Sequence, residues 1–146
     1  MGQHYDAIVL GAGHNGLVAA NYLAAAGVGV LVLERRDFIG GACVTEELFP
    51  GFRAPTCSYV CHLLQDKVIE DLELRRHGFE VYPLEPFRLH PFPDGQYIMI
   101  WPDDKDTVEE IRRVAPRDAE RFVGWTEFWQ RAAGILHRYF LQAPPS

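Results

Sequence analysis

The sequence predicts an α/β fold that opens with a strand, a helix and a second strand. Three observations support this. Two short apolar runs, Ala7–Leu10 and residues 28–33, are typical of parallel strands buried on both faces. Residues 17–26, between these runs, are rich in alanine and leucine, which favours a helix that Gly27 can end. A glycine-rich turn joins the first run to this helix, so we expect a βαβ unit.

The turn has the pattern G-x-G-x-x-G, with Gly11, Gly13 and Gly16. The first glycine lets the chain turn sharply, the second lets a pyrophosphate approach the backbone, and the third lets the helix pack closely on the sheet. The helix start attracts phosphate through its free N–H groups and its dipole. Glu34 follows the second strand, 18 residues after Gly16, where its carboxylate can accept hydrogen bonds from a ribose. The pattern predicts a Rossmann-like dinucleotide-binding unit, and a βαβ unit without a ligand is the alternative.

A glycine pair, Gly40-Gly41, comes shortly after this acid. The backbone N–H groups of such a pair can donate further hydrogen bonds to a pyrophosphate. A flexible connector is the other interpretation of the pair. Its position directly beyond Glu34 favours the first interpretation.

Composition and charge exclude several classes of protein. The 146 residues are 48% hydrophobic and 23% charged, which is typical of one globular domain, and the net charge of −6 argues against a nucleic-acid partner. Glycines and polar residues interrupt the apolar stretch at residues 7–33, so we expect no transmembrane segment and no secretory signal. Cys43, Cys57 and Cys61 form no C-x-x-C pair and match no zinc pattern. We therefore expect no metal, and a soluble protein of the cytoplasm.

Three runs resemble the start of a phytoene-desaturase-like FAD-dependent oxidoreductase: GAGHNGLVAANYL, LVLERR and IGGACVTEELFPGFR. The resemblance implies that FAD is the cofactor and that the chain is the N-terminal part of a longer flavoprotein. Ala42 stands where many relatives in the wider amine-oxidase-like group place an arginine, so backbone donors must meet the phosphate charge there. The cofactor-binding residues that follow from the motifs and the resemblance are Gly11, Ala12, Gly13, His14, Asn15, Gly16, Glu34, Arg35, Gly40, Gly41, Ala42 and Thr45.

The activity implied by the resemblance is oxidation of a small, apolar organic substrate, with the flavin accepting hydride. No residue pattern predicts a catalytic group in this chain, and its oligomeric state is left open. Family members are several-fold longer, so the resemblance implies an incomplete domain, with a cofactor part at 1–62 and the start of a substrate part at 63–146. Two alternatives remain: an NAD-binding module of a dehydrogenase, and a non-catalytic interaction module with a vestigial dinucleotide fold.

The later elements are predicted from local patterns. Breakers indicate a loop over residues 50–62, and an amphipathic pattern predicts a helix over 65–77 that Gly78 ends. Residues 80–92 and 97–101 read as a β-hairpin. Thr107 is expected to cap a helix that Pro116 stops, and Asp118 to cap a last helix over 119–140. Aromatic residues at helical spacing give this last helix a packing face, for which peripheral membrane contact is the alternative.

Overall fold

The computed structural model describes residues 4–143, which fall into two compact units, one ending at Val81 and the other beginning at Tyr82. Within residues 4–143, every helix is too short or too polar to cross a membrane. The predicted division of roles at residue 62 stays a prediction.

The first unit opens with the predicted βαβ arrangement: β1 (Ala7–Leu10), α1 (His14–Ala25) and β2 (Val30–Leu33). The two strands pair in parallel, with Ala7 opposite Val30, which confirms the α/β prediction. The helix begins at residue 14 and not at 17, because the glycine turn is tight enough for its last residues to be helical already. The second strand begins two residues later than predicted, after Gly29, whose carbonyl accepts the Asp6 and Ala7 N–H groups.

The expectation that β1 is buried on both faces is wrong. Ala7 and Val9 are half-buried, whereas Ile8 is 59% exposed and Leu10 is 80% exposed. The reason is that α1 packs against this two-stranded sheet from one side only, and no other layer covers the opposite face within the described residues. An uncovered strand of this kind fits the predicted incomplete domain.

The chain then forms an antiparallel hairpin where a loop was predicted. A 3₁₀ turn at Gly41–Cys43 leads into β3 (Thr45–Phe49), which pairs with β4 (Phe52–Pro55). The prediction of a loop over 50–62 is therefore wrong for its first part. Gly51, with a φ of +81°, makes a tight turn between the strands, so the breakers mark a turn and not a long loop.

The predicted helix at 65–77 is interrupted. It consists of α2 (Asp66–Asp71) and a 3₁₀ segment at Leu74–His77, ended by Gly78 as predicted. The break occurs at Glu73, whose φ of +49° is left-handed and cannot continue an α-helix.

The second unit contains the predicted hairpin and two helices. β5 (Arg88–Pro91) pairs with β6 (Tyr97–Ile100), so the hairpin is confirmed, although residues 80–87 are not part of its first strand. The helices are α3 (Asp104–Val114) and α4 (Pro116–Leu136), and a 3₁₀ turn follows at His137–Tyr139.

Both predicted helix caps in this unit are wrong. Asp103 caps α3 through its side chain, which accepts the Lys105 N–H at 2.8 Å, while Thr107 lies buried inside the helix. Pro116 starts α4 at a position where its missing N–H costs nothing, so Asp118 lies in the first turn and not before it. A cap motif specifies only a residue type and a spacing, so a neighbouring residue can take the same role. Here Asp103 caps α3, and Pro116 begins α4 without an N–H group that needs an acceptor.

The aromatic face of α4 is exposed in the described part of the chain. Trp125 and Trp129 are 58% and 52% exposed; their rings contact each other, and the Trp129 ring also contacts that of Phe128. The helix is nevertheless anchored on its other side, because Ala119 is buried with Ile111 of α3. Within residues 4–143, Phe122 and Ala132 of the predicted packing face are half-buried and its other members are exposed.

Candidate functional site

The glycine turn is held against the end of β2. Gly11, with a φ of +94°, donates its N–H to the Leu33 carbonyl at 2.7 Å. A Cβ atom on Gly16 would lie 2.2 Å from the Gly11 carbonyl oxygen, so only glycine lets the helix start so close to the turn. The first hydrogen bond of α1 joins Leu17 N to Gly13 O, which leaves the N–H groups before it without an acceptor inside the helix. These donors and the helix dipole create a site that favours an anion.

The glycine pair lies directly on this turn. Gly40 donates its N–H to the Ala12 carbonyl at 2.8 Å, and Gly13 and Gly40 form a parallel β-bridge. A Cβ atom on Gly41 would come within 2.8 Å of the Gly13 Cα, so the two segments touch backbone to backbone. The structure therefore brings the two glycine motifs together, and their binding of a pyrophosphate stays a prediction.

Glu34 joins the same network through its carboxylate. Oε2 accepts the Ala12 N–H at 2.7 Å, and Oε1 accepts the Arg36 N–H at 2.9 Å. These backbone donors, that of Arg36 first, hold the pKa of Glu34 below its ordinary value of 4.5, so the side chain is negative at neutral pH. An ionised carboxylate has about four acceptor positions, which leaves acceptors for ribose hydroxyls.

The other predicted residues surround this network. His14 and Asn15 are exposed in the first turn of α1, and Thr45 is exposed at the start of β3. Ala42 accepts the Ser58 N–H at 3.0 Å through its carbonyl. Arg35 is exposed, and within the described part of the chain its side chain forms no hydrogen bond or ion pair. Residues 4–143 contain no group of three His, Cys, Asp or Glu side chains that could hold a metal.

Arg36, which the sequence analysis does not single out, is the arginine tied to this site. Its N–H bonds Glu34, its guanidinium forms an ion pair with Glu46, and that group also stacks 3.8 Å above the Phe38 ring. An open groove of about 480 Å³ adjoins these residues, between the loop and β3. The pairing depends on the β3–β4 hairpin, so no local pattern in the sequence could have revealed it.

Comparison with known proteins gives the class of this domain. Residues 9–72 match the family described as "NAD(P)-binding Rossmann-like domain". The matched stretch contains the glycine turn, Glu34 and the glycine pair. The chain therefore carries a Rossmann-like dinucleotide-binding domain.

Similarity to individual proteins is more specific than the match to this domain family. It is 40% identical over 134 residues to pyridine nucleotide-disulfide oxidoreductase domain-containing protein 2 of Mus musculus, covering 87% of this chain and 23% of the relative. It is 33% identical over 118 residues to the neurosporene-forming phytoene desaturase of Rhodobacter capsulatus, covering 80% of this chain and 22% of that enzyme. These matches confirm the predicted resemblance: the chain is similar to phytoene-desaturase-like oxidoreductases and spans about a quarter of the length of these two relatives.

A solved structure resembles the chain as well. It is that of the CLA-producing fatty acid isomerase from P. acnes, with 26% identity and a TM-score of 0.51. The likeness covers 77% of this chain and 25% of the isomerase. The same fold thus occurs in a protein whose name describes an isomerisation.

Proposed function

We propose that this chain binds FAD and forms the FAD-binding portion of an oxidoreductase. One observation carries the proposal: Glu34, the glycine turn and the glycine pair belong to a single hydrogen-bonded network. The network runs from the Glu34 carboxylate to Ala12 and from Ala12 to Gly40. It offers N–H donors for a pyrophosphate and, a few residues away, carboxylate acceptors for a ribose.

The space above the turn fits such a ligand. A Cβ atom on Gly13 would meet only the Gly41 Cα, at an ordinary 3.8 Å, so this side of the turn is open. No cationic side chain occupies position 42, where alanine stands. The N–H groups of Gly11, Ala12 and Gly40 already donate within the chain. The phosphates therefore bind at the remaining N–H groups of the two glycine motifs and at the positive end of the α1 dipole.

FAD, when bound, supplies a two-electron acceptor for the oxidation of an organic substrate. The residues of this chain hold and orient the cofactor, with Glu34 on the ribose and Arg35, Thr45 and Arg36 at the margin of the site. We propose an apolar substrate, because the names of several similar proteins state one, among them phytoene, limonene and a fatty acid. The isomerase shows that one fold can serve more than one reaction, so the oxidative assignment depends on the desaturase and disulfide-oxidoreductase relatives.

The family description favours a second candidate, the binding of a nicotinamide dinucleotide. In that case the negative charge of Glu34 selects NAD, because it repels the 2′-phosphate of NADP. Direct titration separates the two candidates.

The test is a titration of FAD and of NAD into the purified chain and two variants. In Gly13→Ala, the new methyl group has room in the folded turn but projects toward the expected pyrophosphate. We expect FAD binding to the unsubstituted chain and a dissociation constant raised at least about tenfold in this variant, equivalent to about 1.4 kcal/mol. Gly124→Ala on α4 is the matched control, since its Cβ would meet no atom within 4 Å, and it should bind FAD normally.

Three results would contradict the proposal. Binding of NAD with no binding of FAD would favour the nicotinamide candidate. Binding of neither dinucleotide would leave the non-catalytic interaction module as the better description. Equal FAD affinity in Gly13→Ala and Gly124→Ala would show that the cofactor lies elsewhere.

We also place the protein in the cytoplasm. All three cysteines are free and exposed in the described structure, which fits a reducing compartment. The exposed aromatic face of α4 additionally suits contact with a membrane surface.

A further inference from the structure

We propose that Cys43 and Cys57 form a redox-sensitive thiol pair that an oxidant converts into a disulfide. Both thiols are free and exposed. This pair plays no part in the proposed cofactor binding, so it can be tested whether or not FAD binds.

Both cysteines lie just beyond the open end of the β3–β4 hairpin, within two residues of its last pair. Thr45 pairs with Pro55 at the open end of the β3–β4 hairpin, and antiparallel counting from there sets 43 against 57 and 42 against 58. Beyond the strands, the Ser58 N–H donates to the Ala42 carbonyl at 3.0 Å, although Cys43 lies in the 3₁₀ turn. Each cysteine is therefore next to a residue of this hydrogen-bonded pair, which holds the two segments together beside them.

Opposed residues of an antiparallel pair have Cα atoms about 4.5–5.5 Å apart. A disulfide requires a Cα separation of about 4.4–6.8 Å. Because the cysteines adjoin the hydrogen-bonded Ala42 and Ser58, we propose that a local adjustment of the 3₁₀ turn reaches this separation. Cys61 lies four residues beyond Cys57 in a segment without strand pairing in the described structure. It is equally exposed but has no register with Cys43, which makes it an internal control.

Hydrogen peroxide is the oxidant that the proposal names. The thiolate of one cysteine attacks a peroxide oxygen and becomes a sulfenic acid, releasing hydroxide that takes up a proton. The thiolate of the other cysteine attacks the sulfenic sulfur, the S–S bond forms, and the departing hydroxide leaves as water. In total, two thiols lose two electrons, and one peroxide molecule becomes two molecules of water.

The experiment treats the purified full chain with hydrogen peroxide at neutral pH, counts free thiols, and identifies cross-linked tryptic peptides without reduction. Cleavage after arginine and lysine places Cys43 in peptide 37–53, whereas Cys57 and Cys61 share peptide 54–67. We expect the loss of two thiols per chain and a 37–53 to 54–67 cross-link that dithiothreitol reverses. The Cys61→Ser variant should form the same cross-link at the same rate, and Cys57→Ser should lose it.

Two outcomes would overturn the proposal. One is a cross-link that persists in Cys57→Ser and disappears in Cys61→Ser, which would make Cys61 the partner of Cys43. The other is oxidation of each cysteine separately to sulfinic acid with no cross-link in the unsubstituted chain. Both variants replace exposed thiols, and circular dichroism of each confirms that the comparison is made between folded proteins.

Discussion

Gly41 lies where the glycine pair touches the backbone of the glycine turn, and a substitution there tests this contact at the scale of one residue. The Gly41→Ala substitution introduces a Cβ atom 2.8 Å from the Gly13 Cα, at a residue whose φ is +58°. We expect it to lower the free energy of unfolding by about 2–5 kcal/mol, because the left-handed backbone costs about 1–2 and the clash adds about 1–3. Urea denaturation measures the change.

Gly51→Ala is the control for this substitution. It has a comparable φ of +81°, but no atom lies within 4 Å of its Cβ position. It should therefore lose only the backbone contribution of about 1–2 kcal/mol. Equal losses in the two variants would show that the contact between the glycine motifs contributes nothing to stability.

The lowered pKa of Glu34 predicts that the stability of the fold depends on pH. Its pKa is lower in the folded chain than its ordinary 4.5, so the ionised carboxylate stabilises the fold above that value, and this contribution is lost as the pH falls through the folded pKa. We expect Glu34→Gln to be less stable than the unsubstituted chain at pH 7, because one amide cannot accept both backbone N–H groups. The difference should shrink below pH 4.5, as measured by urea denaturation at several pH values.

Glu80→Gln is the matched control for the charge change. Glu80 is exposed, and its side chain forms none of the hydrogen bonds or ion pairs found in residues 4–143. Its substitution should leave the pH profile unchanged. A difference between Glu34→Gln and the unsubstituted chain that stayed constant from pH 7 to pH 3 would contradict the assignment.

At this scale the sequence predicts well the residues whose role is local. Gly11 and Gly16 have the backbone roles that their spacing predicts, since a left-handed φ and a close helix start follow from neighbours in the chain. Arg36 could not be predicted, because its partner Glu46 reaches it only through the later hairpin. The carboxylate of Glu34 shows the intermediate case: its position was predicted, but its hydrogen bond to Ala12 was not.

Thr107 links two elements of the second unit and provides a test at that scale. It is 1% exposed, and its Oγ1 accepts the Trp101 N–H at 2.9 Å and donates to the Trp101 carbonyl at 3.2 Å. These bonds fasten α3 to the end of β6. We expect Thr107→Val to lose about 1–3 kcal/mol of unfolding free energy, because the shape is kept while the Trp101 backbone groups lose their partner.

Thr56→Val is the corresponding control, since Thr56 is exposed and its hydroxyl makes no hydrogen bond within the described residues. Its unfolding midpoint should match that of the unsubstituted chain. If Thr107→Val unfolded at the same urea concentration as Thr56→Val, water would have replaced the hydroxyl at Trp101.

At the scale of helices and strands, the type of each element is predicted better than the residues at which it begins and ends. The alanine and leucine content identified α1, strand-like runs on either side of a turn identified the β5–β6 hairpin, and the helical spacing of aromatic residues identified α4. None of these patterns could locate the caps of α3 and α4, where several adjacent residues are suited to the helix start. The β3–β4 hairpin was missed because its strands are short and its residues are mostly exposed, so little alternation marks them.

At the scale of the molecule, the division into two compact units predicts where a protease cuts the chain first. Residues 79–87, which include the boundary of the two units after Val81, have no regular secondary structure. Glu80 lies in this segment, and the other glutamate there, Glu85, precedes a proline that blocks cleavage. We expect brief digestion with a glutamate-specific protease to cut first after Glu80, as mass spectrometry of the fragments would show.

Glu80→Gln should abolish this first cut and leave the chain intact for longer. Glu73, in the break after α2, is the competing site. A first cut after Glu73 would mean that the end of the first unit opens more readily than the segment between the units.

Fold class and family followed from a few motifs, but the extent of burial did not. The exposed Ile8 and Leu10 look like core residues in the sequence, because a strand pattern reports what a residue is suited to contact and not whether the contact is present.

The touching glycines also limit how the site can change by mutation. Where two large side chains collide, shrinking one can rescue an enlargement of the other. Gly13 and Gly41 are both already at the minimum size, so neither can yield room to its neighbour. A genetic search for second-site suppressors of Gly41→Ala should therefore find none at position 13, and any rescue must come from backbone shifts elsewhere in the two loops.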